Sequence, residues 1–349
     1  MVEIDGSIGE GGGQVLRSAL TLSMLTGTPV LIKEIRARRP QPGLMPQHIK
    51  AVDAAAAVSR AQVEGAHKGS TTLQFEPGQL RSGRYKFDIG TAGSTSLVLQ
   101  TIFLPLSKAR SASTAIITGG THVPWAPCYH YLAWHWLAWM KKLGYSADFT
   151  LDQAGYYPQG GGRISATIRP SDLPSPLQGM KCGRLLRIRG LSAVSNLNIE
   201  IAERQKRRAA QRLQADFNNV HIKIEQLPSR FKGTMLLLLA EFQSETSDDV
   251  YAQCCYYSLG KLGKPAETVA DEAVDALLDF LNSGADIDQY LADQLLLPLA
   301  FASGPSAFRT SQITPHLLTN AEIIRAFLPV EIAIDGEIGE SGSIRVTPN

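Results

Sequence analysis

Apolar positions in the first 180 residues repeat one pattern, in which a β-rich run ends in glycine or Asp-Gly and an amphipathic helix pattern follows. In the first instance VEIDG and GEGGG precede QVLRSALTLSMLTG, where Gly27 offers a helix stop. The second is YKFDIG followed by TAGSTSLVLQTIFLPLSKA. The third is TAIITGG followed by THVPWAPCYHYLAWHWLAWMKKLG and, after a strand, GYYPQGGG. This alternation predicts an α/β protein built from internally similar units.

The pattern changes in the second half of the chain. The proline- and serine-rich stretch 170–179 is typical of a linker. After it come a strand, a basic helix at 202–217, two further strands and the polar turn QSETSDD. The first theme resumes after the long helix pattern AETVADEAVDALLDFLNSG. We therefore predict a core domain, residues 1–183 plus 279–349, interrupted by an inserted α/β domain at residues 184–278.

Composition and charge exclude several classes of protein. With 349 residues, 44% hydrophobic and 19% charged, the chain has ample material for packed cores, which excludes disorder. Its formal charge of +2 gives no global attraction to polyanions, so any nucleic-acid contact must be local. The first residues lack the pattern of an export signal, and the apolar runs are shorter than the ~20 residues needed to span a bilayer. The four cysteines lack CxxC spacing, which is typical of free thiols in a reducing compartment. We therefore predict a cytoplasmic protein without membrane contact.

The glycine turn GEGGG at residues 9–13 opens a helix, where free backbone N–H groups suit a phosphate. Its spacing fits neither a Walker A loop nor the dinucleotide fingerprint. Glu10 would repel a phosphate unless a divalent cation lay between them. A tight turn, with Glu10 interacting with the helix dipole, is an equally open interpretation.

Two groups of basic residues are candidates for phosphate or RNA contact. Arg36, Arg38 and Arg39 precede the rigid segment PQPGL, which we expect to present guanidinium groups rather than bury them, although a solvated face is the alternative. The second group repeats at every fourth position of the basic helix, at Arg204, Arg208 and Arg212. For this stripe a solvated helix face is favoured over nucleic-acid contact.

Among the seven histidines, His316 stands apart. It follows a short strand and a Thr-Pro pair at the start of a helix pattern, where a side chain enters a cleft. For this residue taken alone, a structural histidine is the favoured interpretation. His130 and His135 lie among aromatic residues in what we expect to be a half-buried helix.

Eight segments in order resemble the RNA 3′-terminal phosphate cyclase family: GEGGGQVLRSAL, IRARRPQPGLMPQH, GTAGSTSLVLQT, GGTHVPWAP, GYYPQGGG, GKPAETVADEA, YLADQLLLPLA and HLLTN. The resemblance covers nearly the whole chain. It implies a core of repeated units that pair helices with four-stranded sheets, plus the smaller inserted α/β domain. It also implies ATP-dependent conversion of an RNA 3′-phosphate to a 2′,3′-cyclic phosphate through a covalent histidine adenylate.

The resemblance also implies roles for individual residues. His316 takes the position of the nucleophile, and Glu10 takes that of a ligand for Mg²⁺ or Mn²⁺. The positions matched to the ATP site are Gln100, Pro127, Tyr290, Asp293 and Gln294. The positions matched to phosphate or RNA binding are Gln14, Arg17, Arg36, Arg39 and Gln47.

The sequence departs from the family pattern at His130, Pro315 and Pro305, which border the matched sites. Two other functions stay open: a noncatalytic RNA-binding or processing factor, and an adenylyltransferase acting mainly on 5′-phosphate or DNA ends. His316 favours the enzyme, because family members that lack this histidine act only in ribosomal RNA maturation. The expected partner is RNA with a 3′-phosphate end.

Overall fold

The computed structural model describes residues 1–179, 182–243 and 250–349. Over these residues the chain forms mixed α/β structure, with its strands in four sheets. Two sheets belong to units with the same succession of strands and helices, a third belongs to a shorter version of that unit, and the fourth belongs to the segment between the second and third units. The predicted α/β fold class is confirmed.

The first unit runs strand, helix, strand, helix, strand, strand. Its elements are β1 (Val2–Asp5), α1 (Gly13–Thr26), β2 (Val30–Lys33), α2 (Pro46–Ser59), β3 (Gln62–Glu64) and β4 (Leu73–Glu76). In the sheet order β1-β2-β4-β3, β1 is parallel to β2, and β4 is antiparallel to both of its neighbours. Alternate residues of β2, Val30 and Ile32, are buried, because one face of the sheet packs on the helices.

The second unit repeats this succession with a divided second helix. Its elements are β5 (Arg84–Asp88), α3 (Thr95–Ser107), β6 (Ser113–Gly119), α4 (Tyr129–Tyr131), a π-helical turn (Leu132–Trp136), α5 (Leu137–Lys142), β7 (Ala147–Gln153) and β8 (Gly162–Ile168). The strand order β5-β6-β8-β7 and the strand directions match the first unit. The helix expected after β6 begins at Tyr129. Its middle widens into the π-helical turn.

A different arrangement follows the second unit. Its elements are β9 (Leu185–Ser195), α6 (Glu200–Leu213), β10 (Val220–Gln226), β11 (Gly233–Gln243), β12 (Val250–Leu259) and α7 (Ala266–Ser283). The sheet order is β10-β9-β11-β12, and α6 and α7 pack on this sheet. The predicted boundary at 278 falls inside α7, so we propose that the insertion extends to the end of α7. Residues 244–249 of the predicted polar turn lie outside the described residues.

The third unit has a shorter sheet than the other two. Its elements are α8 (Gln289–Leu299), β13 (Ser306–Thr310), α9 (Pro315–Phe327), β14 (Val330–Asp335) and β15 (Gly342–Pro348). Among the described residues this sheet has three strands, in the order β13-β15-β14, where the resemblance implies four. Ile287 makes a single parallel bridge to Thr310 at the position of the first strand. The unit thus keeps the topology of the others with its edge strand reduced to one bridge.

The predicted linker at 170–179 packs against the third unit. Leu177 is 3% exposed, its N–H donates to Ser306 Oγ at 3.1 Å, and its carbonyl accepts the N–H of Ala307 at 2.8 Å. The segment lacks helix and strand, as a linker does, but it is a fixed part of the core.

The arginine stripe of α6 is paired with acidic residues of α7. Each guanidinium group lies within 2.9 Å of a carboxylate. The pairs are Arg204 with Glu267, Arg208 with Asp271, and Arg212 with both Asp271 and Asp275. The arginine side chains are 26–39% exposed, so the stripe stays partly solvated while its ion pairs link α6 to α7.

Side-chain hydrogen bonds join β12 to the second unit. Trp139 Nε1 donates to the carbonyl of Gln253 at 3.1 Å, and Gln253 Nε2 donates to the carbonyl of Trp134 at 2.7 Å. Tyr257 Oη donates to the carbonyl of Ala126 at 2.6 Å. The inserted sheet is thereby fixed beside the loop that leads into α4.

The structure also bears on two expectations from composition, the lack of a membrane-spanning segment and the state of the cysteines. Within the described ranges no helix is long and apolar enough to cross a bilayer. All four cysteines are free thiols there, and Cys128, Cys254 and Cys255 are buried.

Candidate active site

The glycine turn between β1 and α1 lies against the first turns of α9. Gly9 has a φ of +56°, and a Cβ added to it would lie 1.9 Å from Thr319 Oγ1. Both the backbone conformation and the close approach require glycine. The turn places Glu10 beside His316, the second residue of α9.

Glu10 and His316 form a half-exposed pair. His316 Nδ1 lies 3.4 Å from Glu10 Oε2, and the side chains are 44% and 42% exposed. The same carboxylate oxygen lies 3.3 Å from Arg39 Nη2. One carboxylate therefore stands between an imidazole and a guanidinium group.

The surroundings favour the neutral form of His316. Burial lowers the pKa of its imidazole, Glu10 raises it, and Arg17 and Arg39 lower it, with a net result below the ordinary value. A neutral imidazole keeps a lone pair on one ring nitrogen. Because Nδ1 faces the Glu10 carboxylate, the proton is favoured on Nδ1 and the lone pair on Nε2.

Three helices meet at Asp293 on α8. From α1, Gln14 Nε2 donates to Asp293 Oδ2 at 3.2 Å. From α9, Asn320 Nδ2 donates to the Asp293 carbonyl at 2.7 Å, and Ser18 Oγ of α1 donates to Asn320 Oδ1 at 2.7 Å. Burial raises the pKa of Asp293 to about 7, although Arg17 lowers it. This junction fixes α8 relative to the helices that carry Glu10 and His316.

The start of α8 is anchored by a pair that the sequence interpretation missed. His135 Nε2 lies 2.7 Å from Asp288 Oδ2, and both side chains are fully buried. Asp288 Oδ1 accepts the N–H groups of Tyr290 and Leu291, so it caps α8. An aspartate directly before a helix pattern is a recognisable cap signal, but its pairing with a histidine 153 positions earlier is not.

The residues matched to the ATP site fall into two groups. Gln100 Nε2 of α3 donates to Gln294 Oε1 of α8 at 2.8 Å, and Gln294 Nε2 donates to the carbonyl of Tyr290 at 2.8 Å. Tyr290 is 55% exposed, so its ring is available to a ligand. Pro127 lies in the loop before α4, and no hydrogen bond among the described residues joins it to the others.

Two of the residues matched to phosphate binding support the protein itself. Arg36 Nη1 donates to the carbonyls of Gln41 and Gly43 at 2.7 and 2.8 Å. Gln47 Oε1 accepts the N–H of Ser94 at 2.9 Å and thereby joins α2 to the start of α3. The expectation that this loop presents its guanidinium groups outward is wrong for Nη1 of Arg36.

A further residue near Gly13 was not singled out from the sequence. His48 of α2 is 7% exposed, and its Nδ1 accepts the N–H of Met45 at 3.1 Å. Its Nε2 lies 2.5 Å from the point that a Cβ on Gly13 would occupy. Burial, together with Arg17 and Arg36, lowers the pKa of His48 to about 3, so the ring is neutral.

The departures from the family pattern have local explanations. His130 is buried rather than half-buried, and its Nδ1 lies 2.9 Å from His122 Nε2. Burial lowers the pKa of His130 to about 4, so the two rings share a hydrogen bond as neutral groups. Pro315 is the first residue of α9, a position where its missing N–H costs nothing. Pro305 directly precedes β13.

The donor set at Glu10 suits a hard divalent cation. Within the described ranges no group of three or more histidine, cysteine or acidic side chains could hold a metal ion. Mg²⁺ accepts one protein carboxylate when waters and phosphate oxygens complete its coordination. The half-exposed Glu10 carboxylate beside the glycine turn fits that requirement.

The position of the chain among known proteins follows from its sequence. A family model described as RNA 3′-terminal phosphate cyclase matches residues 8–334. This chain belongs to that family. The family and the fold that the eight segments indicated are confirmed.

Relatives named RNA 3′-terminal phosphate cyclase match over nearly their full length. The chain is 45% identical to that of Pseudomonas fluorescens over 332 residues, covering 95% of this chain and 94% of the relative. It is 42% identical to that of Ralstonia nicotianae, with 100% and 97% covered, and 40% identical to that of Methanopyrus kandleri, with 100% and 99% covered. A solved structure of the enolpyruvyl transferase NikO from Streptomyces tendae aligns over 100% of this chain and 82% of its own at 11% identity, with a TM-score of 0.22. That value supports no conclusion.

For this member of the cyclase family, the site residues stay predictions. The structure brings one group of them into a single pocket, where α1, α8 and α9 meet: Glu10, Gln14, Arg17, Arg39, Asp293 and His316. Gln100, Gln294 and Tyr290 continue the pocket along α8. Gln47 borders it from α2, and Arg36 borders it through its interaction with His48 of α2. Within the described ranges Pro127 makes no hydrogen bond to the other site residues.

Proposed function

We propose that this protein converts an RNA 3′-terminal phosphate into a 2′,3′-cyclic phosphate and consumes ATP in doing so. The observation that carries the proposal is the neutral, half-exposed imidazole of His316, held beside Glu10 at the start of α9. Family membership supports the reaction class. The proposal includes RNA with a 3′-phosphate end as partner and the cytoplasm as location.

In the first step His316 Nε2 attacks the α-phosphorus of ATP. An N–P bond forms, the bond to the bridging oxygen of the β-phosphate breaks, and pyrophosphate leaves. Arg17 and Arg39 stabilise the negative charge on the phosphates. A bound Mg²⁺ or Mn²⁺, held by Glu10, supplies further charge neutralisation. The Glu10 carboxylate also orients the ring through Nδ1.

The next two steps act on the RNA end. An oxygen of the 3′-phosphate attacks the adenylate phosphorus, the N–P bond breaks, and His316 returns to its neutral form. The neighbouring 2′-hydroxyl then attacks the 3′-phosphorus, loses its proton to solvent and expels AMP. The last step is intramolecular, and oriented neighbours reach effective molarities of roughly 10⁵ to 10⁸ M, so it needs no dedicated base.

ATP labelled at the α-phosphate tests the first step. We expect an acid-labile, alkali-stable adduct that disappears in His316→Ala and is chased by RNA with a 3′-phosphate. Full labelling of His316→Ala would contradict the assignment. No labelling of the wild type would favour a noncatalytic RNA-processing factor, and equal chase by a 5′-phosphate or DNA end would favour the broader adenylyltransferase.

A terminal 2′-deoxynucleotide with a 3′-phosphate tests the order of the steps. Activation needs only a phosphate oxygen, so we expect the end to be adenylylated and then to stall as a product heavier by one AMP. Release of unchanged RNA with free AMP at the normal rate would contradict the order.

A further inference from the structure

His48 has one ring nitrogen committed to the protein and one without a partner. The Met45 N–H donates to Nδ1 at 3.1 Å, in a bond that helps to cap α2. No hydrogen bond to Nε2 is found among the described residues, although the side chain is only 7% exposed. Nε2 itself is not fully enclosed, so solvent reaches it and a ligand can reach it as well.

The hydrogen bond to Nδ1 determines where the ring carries its proton. A backbone N–H can only donate, so Nδ1 must offer its lone pair. The single proton of the neutral ring is therefore on Nε2. The lowered pKa of His48 prevents a second proton from binding at neutral pH. His48 thus presents an uncharged N–H donor, fixed in direction by α2.

The free donor points at the start of α1. A Cβ added to Gly13 would lie 2.5 Å from His48 Nε2 and 2.9 Å from Arg17 Nη1. Gly13 is the first residue of α1, whose initial N–H groups have no acceptor within the helix. Both side-chain donors therefore lie close against Gly13, beside the helix terminus, in an approach that a side chain at Gly13 would block.

We propose that His48 donates its Nε2 hydrogen to a phosphoryl oxygen bound beside Arg17 at the start of α1. The inference rests on the proposed function for the source of that oxygen, which is either the 3′-phosphate of RNA or the triphosphate of ATP. His48 and Arg17 then have different roles in binding the phosphoryl group. Arg17 supplies charge, and His48 supplies a directional bond that positions the phosphoryl group near His316.

A matched pair of variants separates this role from the structural one. The amide oxygen of asparagine replaces Nδ1, so His48→Asn keeps the acceptor for Met45 and removes the donor. The amide nitrogen of glutamine replaces Nε2, so His48→Gln keeps the donor and removes the acceptor. We expect His48→Asn to retain the thermal stability of the wild type yet to bind phosphate poorly. His48→Gln should show the reverse.

Binding without turnover gives the primary readout. Adenosine 3′-monophosphate and ATP are titrated separately into each variant by calorimetry. Loss of one hydrogen bond to a charged oxygen weakens binding about 10- to 100-fold. We expect that loss in His48→Asn and recovery to within about threefold in His48→Gln. A loss confined to the 3′-monophosphate assigns the oxygen to the RNA end, and a loss confined to ATP assigns it to the triphosphate.

The outcome that overturns the proposal is wild-type affinity of His48→Asn for both ligands, or weaker binding in His48→Gln than in His48→Asn. If His48→Asn does not fold, Gly13→Ala replaces it, because its methyl group would lie 2.5 Å from His48 Nε2 and so displaces the donor from its position. Wild-type protein that binds adenosine 3′-monophosphate through His48 but forms no cyclic phosphate would contradict the proposed function alone.

Discussion

Two groups of arginines in this protein carry the same charge in opposite surroundings. On α6, every guanidinium of the stripe is bound to a carboxylate of α7, with Asp271 shared by two of them. In the pocket, Arg39 has one contact with Glu10 at 3.3 Å, and the guanidinium group of Arg17 makes no hydrogen bond to the described residues. The pocket is therefore the place with positive charge left for a ligand.

The difference shows that the charge a group of arginines offers to a ligand depends on the acidic side chains packed beside it. Burial lowers the pKa of Arg17 to about 10, and Asp293, itself with a raised pKa, compensates only in part. The partners of the α6 arginines lie 59 to 63 positions later in the chain. Neither fact can be obtained from charge counting, because both depend on which helices are packed together.

The largest difference between the two groups is expected when one arginine from each is replaced by alanine. We expect Arg17→Ala to lower kcat/KM for cyclisation by about 10²- to 10³-fold, because one charged donor at a reacting phosphate is lost. Arg208→Ala is the matched control and should change kcat/KM by less than about twofold. Equal losses in a rapid-quench assay would mean that the two groups do not differ in function.

The second prediction concerns the carboxylate of the pocket. Glu10→Ala should lower adenylylation by at least about tenfold and raise the Mg²⁺ concentration needed for half-maximal rate. Its thermal unfolding should stay unchanged within about 1 kcal/mol, since exposed ion pairs contribute little.

The control is Asp148→Ala, which removes another exposed carboxylate that is paired with an arginine, Arg169. It should leave labelling unaffected. A loss of stability in Glu10→Ala large enough to explain the lost labelling would instead support the turn-and-dipole interpretation of Glu10.

Much of the fold was predictable because it repeats a local sequence pattern of a strand, a glycine turn and an amphipathic helix. Glycines after β1 and β5 and apolar positions at helical spacing indicated the first two units and the α/β class, whereas the third predicted instance, TAIITGG, corresponds to β6 of the second unit. The sequence did not reveal that Ile287 stands for a whole strand, or that the proline-rich segment packs on β13. Both depend on pairing between segments far apart in the chain, which a local pattern does not encode.

The site was predictable only in part. Motif resemblance selected Glu10 and His316, which lie in contact. It missed His48 and His135, because a buried histidine looks the same in sequence whether it bonds to a cap, a carboxylate or a ligand. It also treated Arg36 as fully presented, although two carbonyls of its own loop bind one of its nitrogens.

The third prediction concerns how the free energy of unfolding depends on pH through His48 in the pocket. His48 has a pKa of about 3 in the folded protein and about 6.5 when unfolded. Below pH 6.5 the unfolded chain therefore binds a proton that the folded chain does not, and the free energy of unfolding falls by up to about 1.4 kcal/mol per pH unit. Between pH 6.5 and 5, His48→Asn should lose about 1.6 kcal/mol less than the wild type. Parallel curves from urea unfolding would contradict a buried neutral His48.

The smallest expected effect belongs to the α6–α7 contact. Arg208 is 39% exposed and Asp271 30% exposed, so Arg208→Ala should lower the free energy of unfolding by only about 1 kcal/mol at low salt. Burial raises the pKa of Asp271, but Arg208 and Arg212 lower it further, so its folded pKa lies below the ordinary value. That contribution is present above the unfolded pKa of about 3.9 and is lost as pH falls through the folded pKa. The difference between variant and wild type should therefore shrink in 1 M salt and vanish at the acid end, whereas a difference independent of both would mean that Arg208 acts through apolar packing.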